Sequence, residues 1–252
     1  MPLTQLERRN NSQNLQRRLG TRAERYFLEL QAMTVHSFED DFVGDTLDGL
    51  YQSTASGANS VAAAISTGVV NGAILLDAGD ANSGRSDLSY GRHYRGDQGA
   101  IYVARFSINT ITNRKFEIGF TDVISGTDAG AVNVRATPSF NADDCAVLCF
   151  DTSDNSSLKL VGNKATTAAT SVSFSLTLAS ATYYYFQVAL FNDVAVGTVF
   201  NADGGFLEEQ RITSAVTATV LLTPWLFVQN RTASAGSMTA DYHRAYQRRT
   251  SV

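Results

Sequence analysis

"LTPWLFVQNRTASAGSMTADYHRAYQRR", residues 222–249, decides the fold. An apolar run led by Pro224 comes first, small residues follow, and a Tyr- and Arg-rich run ends the stretch. This order reads as two strands around a small-residue loop. An antiparallel sandwich often places its last strand centrally, where it pairs and has its inner face covered. The stretch is therefore expected to close a β-sandwich.

Working outward, everything from Phe38 onward consists of short alternating runs separated by Gly, Asn, Asp and Ser, the pattern of an antiparallel sandwich or barrel. "SVSFSLTL" puts Val172, Phe174, Leu176 and Leu178 on one face, and "KFEIGF" does the same with Phe116, Ile118 and Phe120, so both are expected to be half-buried strands. "AIYVARFSI", "CAVLCF", "YYYFQVALF", "VAVGTVF", "TATVLL" and "GAILLDAG" supply further strands, enough for two sheets. "DAGDANSGRSDLSYGRHYRGDQG" and "VGNKATTAATS" have loop composition. A hydrophobic content of 44% with 17% charged residues suits a packed core.

The amino end has a different texture. Thr4 to Glu7 and Thr21 to Glu24 match the capping-box pattern, and Gly20 lies between them as a helix stop. Ala23, Tyr26, Phe27, Leu30 and Met33 then recur at helical spacing. The expectation is a short α-helical arm over residues 1–35 and a sandwich domain over 36–252. Residues 1–31 hold six Arg and three Glu, leaving fourteen basic and twenty-one acidic residues beyond, so the arm carries +3 and the body −7. Such a division suits an arm that docks on an acidic surface, or a solvated helix face. Its apolar stripe is to be covered by the sandwich or by a neighbouring subunit.

No run of about 18 apolar residues is present, and the amino end lacks the apolar core of a secretory signal. Assembly in a cytoplasm is therefore expected. Cys145 and Cys149 stand four steps apart on a strand, roughly 13 Å between Cα atoms, beyond disulfide reach. They read as buried thiols.

Catalytic and metal signals are weak. A sandwich glycosidase needs two carboxylates facing each other across the sugar, on a strand at even spacing. Glu117 and Asp122 are five apart, Glu39, Asp40 and Asp41 are contiguous, and Glu208 and Glu209 adjoin a Gly-rich turn. His36, His93 and His243 are scattered and read as surface or interface residues, with no zinc site, nucleophilic triad or cofactor expected. "DTSDNSS", residues 151–157, could curl oxygens around calcium but lacks the alternating acids and Gly of a calcium loop, and reads as an Asx-rich turn. "GRHYRGDQG" brings Arg92 and Arg95 together with Tyr94, near Arg85 and Tyr90, a composition that suits stacking on bases or sugars and protein interfaces equally. The triplet Arg95, Gly96, Asp97 is too short to signal adhesion. Trp225, the single tryptophan, has apolar neighbours and reads as a core or sheet-packing residue.

The terminal segment resembles the closing strands of concanavalin-like jelly-roll proteins of tailed-phage particles: a Pro-led strand, an Asn, a small-residue loop and an Asp-Tyr strand. "FEDDFVGDTLDGLY", "NGAILLDAGD", "FEIGFTD" and "VAVGTVFNADG" are similar to that family's opening strand, Gly-led second strand, mid-sheet strand and late hairpin. The resemblance implies an all-β concanavalin-like jelly roll and a structural or binding role in the virion rather than catalysis. Its first implication is a capsid decoration protein, trimeric, gripping the major capsid protein through Arg17, Arg18, Arg22, Tyr26, Phe27 and Leu30. The alternative is a tail, baseplate or fibre component whose sandwich binds a host surface glycan, and the third is a polysaccharide hydrolase. No nucleic-acid or membrane partner is expected.

Overall fold

A computed structural model describes residues 35–69, 72–124, 130–135, 139–165 and 167–249. Arg17, Arg18, Arg22, Tyr26, Phe27 and Leu30, and the helical arm expected around them, lie outside the described residues.

Among the described residues seventeen strands form two facing antiparallel sheets and one small hairpin. The larger sheet contains β1 (Val35–Asp40), β3 (Val61–Ile65), β4 (Ile74–Asp77), β6 (Ile101–Ile108), β13 (Tyr184–Phe191), β14 (Val194–Phe200), β15 (Phe206–Ile212) and β17 (Ser237–Arg248). Its order is β15, β14, β13, β6, β17, β4, β3, with β1 also paired to β17. The smaller sheet contains β2 (Ala55–Ser56), β5 (Arg85–Ser89), β7 (Arg114–Thr121), β10 (Asp144–Asp151), β11 (Leu158–Lys164), β12 (Thr167–Ser173) and β16 (Thr223–Asn230), in the order β12, β11, β10, β7, β16, β5, β2. The hairpin is β8 (Val132–Val134) with β9 (Ser139–Phe140). Among the described residues the one helical turn is 3-10, at Gly96–Gln98.

The stretch 222–249 does close the sandwich. β16 lies between β7 and β5 in one sheet, and β17 lies between β6 and β4 in the other. The small-residue loop is thus a crossover between layers, not a hairpin. Asn230 anchors it by donating from Nδ2 to the carbonyls of Ala78, Gly79 and Ala81 at 3.1, 2.9 and 3.2 Å. A Cβ on Gly236 would lie 2.2 Å from Arg114 Nε and 2.4 Å from Asn230 Oδ1, so a side chain there would displace both.

Alternation fixes which residues meet between the layers. Tyr102, Ala104, Phe106 and Ile108 of β6 face Phe116, Ile118 and Phe120 of β7 across one continuous core that includes Phe150, Leu160, Phe186, Val188, Leu226 and Met238. Phe106 stacks on Phe186 with ring centroids 4.5 Å apart and meets Phe116 edge-on at 5.5 Å, the offset and T-shaped geometries that ring quadrupoles favour.

Several expectations are corrected. The polar run around residues 77–99 is not all loop: β5 crosses it with all five residues buried, because Asp87 takes the backbone N–H and hydroxyl of Thr54 at 3.1 and 2.6 Å and Ser86 donates to the Val61 carbonyl at 2.8 Å. "VGNKATTAATS" is the end of β11 and most of β12. Its small residues suit a close approach, since a Cβ on Gly162 would lie 2.7 Å from Ala215 Cα. "TATVLL" is not a strand; Val220 N–H turns back onto the Thr217 carbonyl at 3.1 Å. "SVSFSLTL" keeps its apolar face, but the strand stops at Ser173, where Glu208 captures the N–H groups of Ser175 and Leu176 at 2.9 Å each. β7 is buried on both faces, not one, because the β8–β9 segment covers its outer side.

Candidate functional site

At one end of the larger sheet a groove of about 410 Å³ opens between the Gly96–Gly99 turn, the Phe191–Asn192 corner and the last residues of β17. Ile101 and Tyr246, paired across β6 and β17, line it together. Asn192 and Asp193 form the two-residue link between β13 and β14, with Asn192 at φ 58, the left-handed conformation a tight hairpin needs and Asn accepts. Asn192 N–H donates to the Gly96 carbonyl at 2.8 Å. A Cβ on Gly96 would fall 2.0 Å from the Asn192 carbonyl oxygen, so glycine is what lets the two walls touch.

Gln247 is fixed beneath the groove. Its Oε1 accepts the Arg95 N–H at 2.8 Å and its Nε2 donates to the His93 carbonyl at 2.7 Å. Asp97 N–H donates to the Ala218 carbonyl at 3.0 Å, and the Asp97 carboxylate pairs with Arg95. The groove therefore offers the Tyr246 ring and a half-exposed Phe191 beside Asp97, Gln98, Asn192 and Arg248. Aromatic side chains flanked by a few polar groups suit a polar ligand with apolar patches.

The outer face of the same sheet continues the aromatic character. The Arg105 guanidinium lies over Tyr183 at 4.5 Å and near Tyr185 at 5.6 Å, while pairing with Asp241. Burial pushes the Asp241 carboxyl upward against the opposing pull of Arg105. Arg244 lies over Tyr246 at 5.0 Å and reaches Glu39 at 3.6 Å.

The outer face of the smaller sheet is closed. Lys115 and Glu117, both fully buried, pair at 2.8 Å. Glu117 also accepts the Ala131 and Val132 N–H groups at 2.8 and 3.1 Å and the Trp225 indole N–H at 3.0 Å. Four donors on one carboxylate leave it no room to act on a substrate. Trp225 and Phe227 stack here with Val132, Val147, Cys149 and Val161 in a second cluster outside the main core. Cys145 and Cys149 are free buried thiols. Burial, reinforced by Glu117, raises both, Cys149 to about 12 and Cys145 well above its usual value, which removes thiolate reactivity.

The 151–157 turn is organised around an internal cation. Arg135 donates to the carbonyls of Cys149 and Asp151 at 3.1 and 2.9 Å, to those of Asp154 and Ser157, to the Asp154 carboxylate at 2.9 Å and to Asn155 Oδ1 at 3.3 Å. Against burial, which raises it, Lys159 and Arg135 hold the Asp154 carboxyl below its usual range. Among the described residues no group of three or more His, Cys, Asp or Glu is placed to hold a metal ion.

The structure thus brings part of "GRHYRGDQG" into the groove and joins it to Tyr246 and Arg248 from the terminal run. Arg95 and Asp97, two members of the adhesion-like triplet, are paired with each other. Trp225 packs against the sheet as expected. His243 corrects the surface reading, being fully buried, whereas His93 is exposed. Phe191 and Asn192 were missed by the sequence reading. The Asn-Asp pair between two alternating runs is the hairpin signal that would have placed them.

No protein-family model matches the sequence, and no curated protein matches it either. The fold does have solved counterparts. A protein of unknown function from Shewanella oneidensis MR-1 superposes with a TM-score of 0.62 at 15% identity, covering 92% of this chain and 98% of that one. The CBM2 module of the evolved Dit of Lactobacillus casei BL23 phage J-1 gives 0.55 at 13% identity, covering 87% and 98%. The Lotus tetragonolobus seed lectin gives 0.55 at 12% identity, covering 86% and 100%. At these identities the likeness concerns architecture: the chain has the concanavalin-like antiparallel sandwich.

Proposed function

We propose that this chain is a non-catalytic, glycan-recognising sandwich of a tailed-phage particle, the saccharide lying in the groove between the Gly96–Gly99 turn and Tyr246. The observation that carries the reading is the groove itself: Tyr246 and Phe191 line it beside the polar residues Asp97, Gln98, Asn192 and Arg248. A sugar ring presents an apolar face and a rim of hydroxyls, and such a lining matches both. The lectin and phage Dit modules that share the architecture support this reading. The saturated Glu117 carboxylate supports binding over hydrolysis.

The test is binding of the purified chain to a glycan array and to host surface polysaccharide, with Tyr246→Ala and Asn192→Ala compared with the parent. Each variant should lose about tenfold or more in affinity, corresponding to about 1.4 kcal/mol, while its thermal transition stays within a few degrees. Absence of binding to every saccharide, or unchanged binding by both variants, would overturn the reading.

A second reading, decoration of the capsid through residues 1–35, is favoured by the charge division between a +3 amino-terminal region and a −7 remainder. It predicts head-like copy numbers and co-purification with tail-less heads, whereas a tail component follows tails in few copies. Quantitative staining of the two fractions separates the readings. In the decoration case Phe27→Ala with Leu30→Ala should release the chain from heads, while Arg17→Ala with Arg18→Ala should weaken attachment mainly at low salt.

A further inference from the structure

We infer that two copies of this chain join edge to edge through β15, antiparallel, about a two-fold axis at Gln210. β15 is the outermost strand of the larger sheet and pairs with β14 alone. Among the described residues no backbone group beyond β14 hydrogen-bonds to its backbone; the N–H groups of Ser175 and Leu176 reach only the Glu208 side chain. It presents Phe206 at 64% and Leu207 at 40% exposure. An open edge of this kind is a template for another strand, and proteins commonly blunt it with Pro, Lys or a covering loop. "FLEEQRI" contains neither Pro nor Lys.

The charges select the partner and the register. Glu209 lies opposite Thr198 and Arg211 opposite Val196 in the β14 ladder, both on the solvent side of the sheet. Among the described residues neither has an ion-pair partner within the chain. Glu208, on the other face, is already held by the N–H groups of Ser175 and Leu176. In a two-fold antiparallel pair, directly opposed residues share a face. Centring the axis on Gln210 sets Glu209 of each copy against Arg211 of the partner subunit, twice over. Centring it on Glu209 would oppose like charges, and centring it on Glu208 would leave Arg211 unmatched. The surface is thus complementary to itself, and the assembly it builds is a dimer with a continuous sheet, independent of whether the groove binds sugar.

Sedimentation equilibrium of the full chain across a concentration series tests this, together with Glu209→Arg and Arg211→Glu. The parent should dimerise, and each single reversal should weaken association by about tenfold or more. Mixed in equal amounts, the two variants should dimerise again, because every 209–211 contact in the heterodimer regains opposite charges. Thermal melts confirm that these exposed substitutions leave the fold intact. A parent that stays monomeric at the highest concentration, single reversals that associate like the parent, or a mixture that stays dissociated would each overturn the inference.

Discussion

Tyr51 and His243 lie 192 residues apart in sequence and share a hydrogen bond of 2.6 Å at the centre of a buried relay. Tyr51 Oη donates to Asp40 Oδ2 at 3.0 Å, so its single proton is committed. The Nε2 of His243 must then be the donor to Tyr51, which leaves Nδ1 free to accept from Tyr102 at 3.2 Å. The chain of donors runs one way, Tyr102 to His243 to Tyr51 to Asp40. It ties β17 and β6 to the loop that follows β1.

Burial alone lowers His243 to about 3 from its ordinary 6.5. The folded form therefore refuses a proton that the unfolded chain accepts below 6.5. The stabilisation is fully present above pH 6.5 and is lost as pH falls from there toward 3, at up to about 1.4 kcal/mol per pH unit. His243→Phe should remove this slope, at the cost of leaving the two tyrosine hydroxyls short of a partner. Urea midpoints at pH 7, 6 and 5 should fall more steeply for the parent than for the variant. Parallel lines would show that the histidine charges without penalty.

Lys115 and Glu117 make an asymmetric pair. Replacing Glu117 with Leu takes the carboxylate away from a fully buried ammonium and leaves the N–H groups of Ala131, Val132 and Trp225 without their acceptor. Such a loss typically costs roughly 3–5 kcal/mol. Lys115→Met is expected to cost less, since Glu117 keeps those three donors. Chemical denaturation of the two variants should rank Glu117→Leu as the more damaged, with Lys115→Met combined with Glu117→Gln between them. Equal losses would mean that the covering segment contributes nothing to the carboxylate.

The core strands were legible because alternation in β6, β7, β13 and β14 states which face is buried, and hydrophobic identity is all the inner layer requires. β5 was not, because "RSDLS" owes its burial to Thr54 and Val61, partners that sequence proximity does not reveal. The second face of β7 was hidden for the same reason, as Lys115 and Glu117 look like solvent residues until the β8–β9 segment is laid over them. Half of the groove was visible in "GRHYRGDQG". Its other half comes from residues about 100 and 150 positions further along, and only the strand order joins them.

Gly96 sets the shape of the groove. Its missing Cβ allows contact with the Asn192 carbonyl, where any side chain would sit 2.0 Å away. Gly96→Ala should push the 95–98 turn off the β13–β14 corner and cost roughly 1–3 kcal/mol from overpacking, with loss of any saccharide binding measured for the parent. Gly204, at φ 81 with open space around its Cβ position and outside the groove lining, provides the comparison. Gly204→Ala should lower the melting temperature through backbone strain while leaving saccharide affinity nearly intact. If both variants bind like the parent, the ligand does not occupy this groove.

Arg135 fills a cage of oxygen acceptors. Four carbonyl oxygens, from Cys149, Asp151, Asp154 and Ser157, converge on one guanidinium with the Asp154 carboxylate and Asn155 Oδ1. Oxygen sets of this kind hold calcium when the centre is vacant and the backbone can shrink onto the ion. The positive charge is supplied covalently, and the guanidinium satisfies oxygens of Asp151, Asp154, Asn155 and Ser157 within "DTSDNSS". Arg135→Ala should destabilise the fold by a few kcal/mol, because buried carbonyls lose their donors. The same variant should acquire a cation response that the parent lacks. Calcium, added at about a hundred times its dissociation constant, would return roughly 2.7 kcal/mol by mass action. Thermal melts of both proteins in a calcium series, with magnesium as the smaller and more strictly octahedral control, give the answer. A rise confined to Arg135→Ala supports the cage. Equal behaviour of variant and parent would show that the turn collapses once the guanidinium is removed.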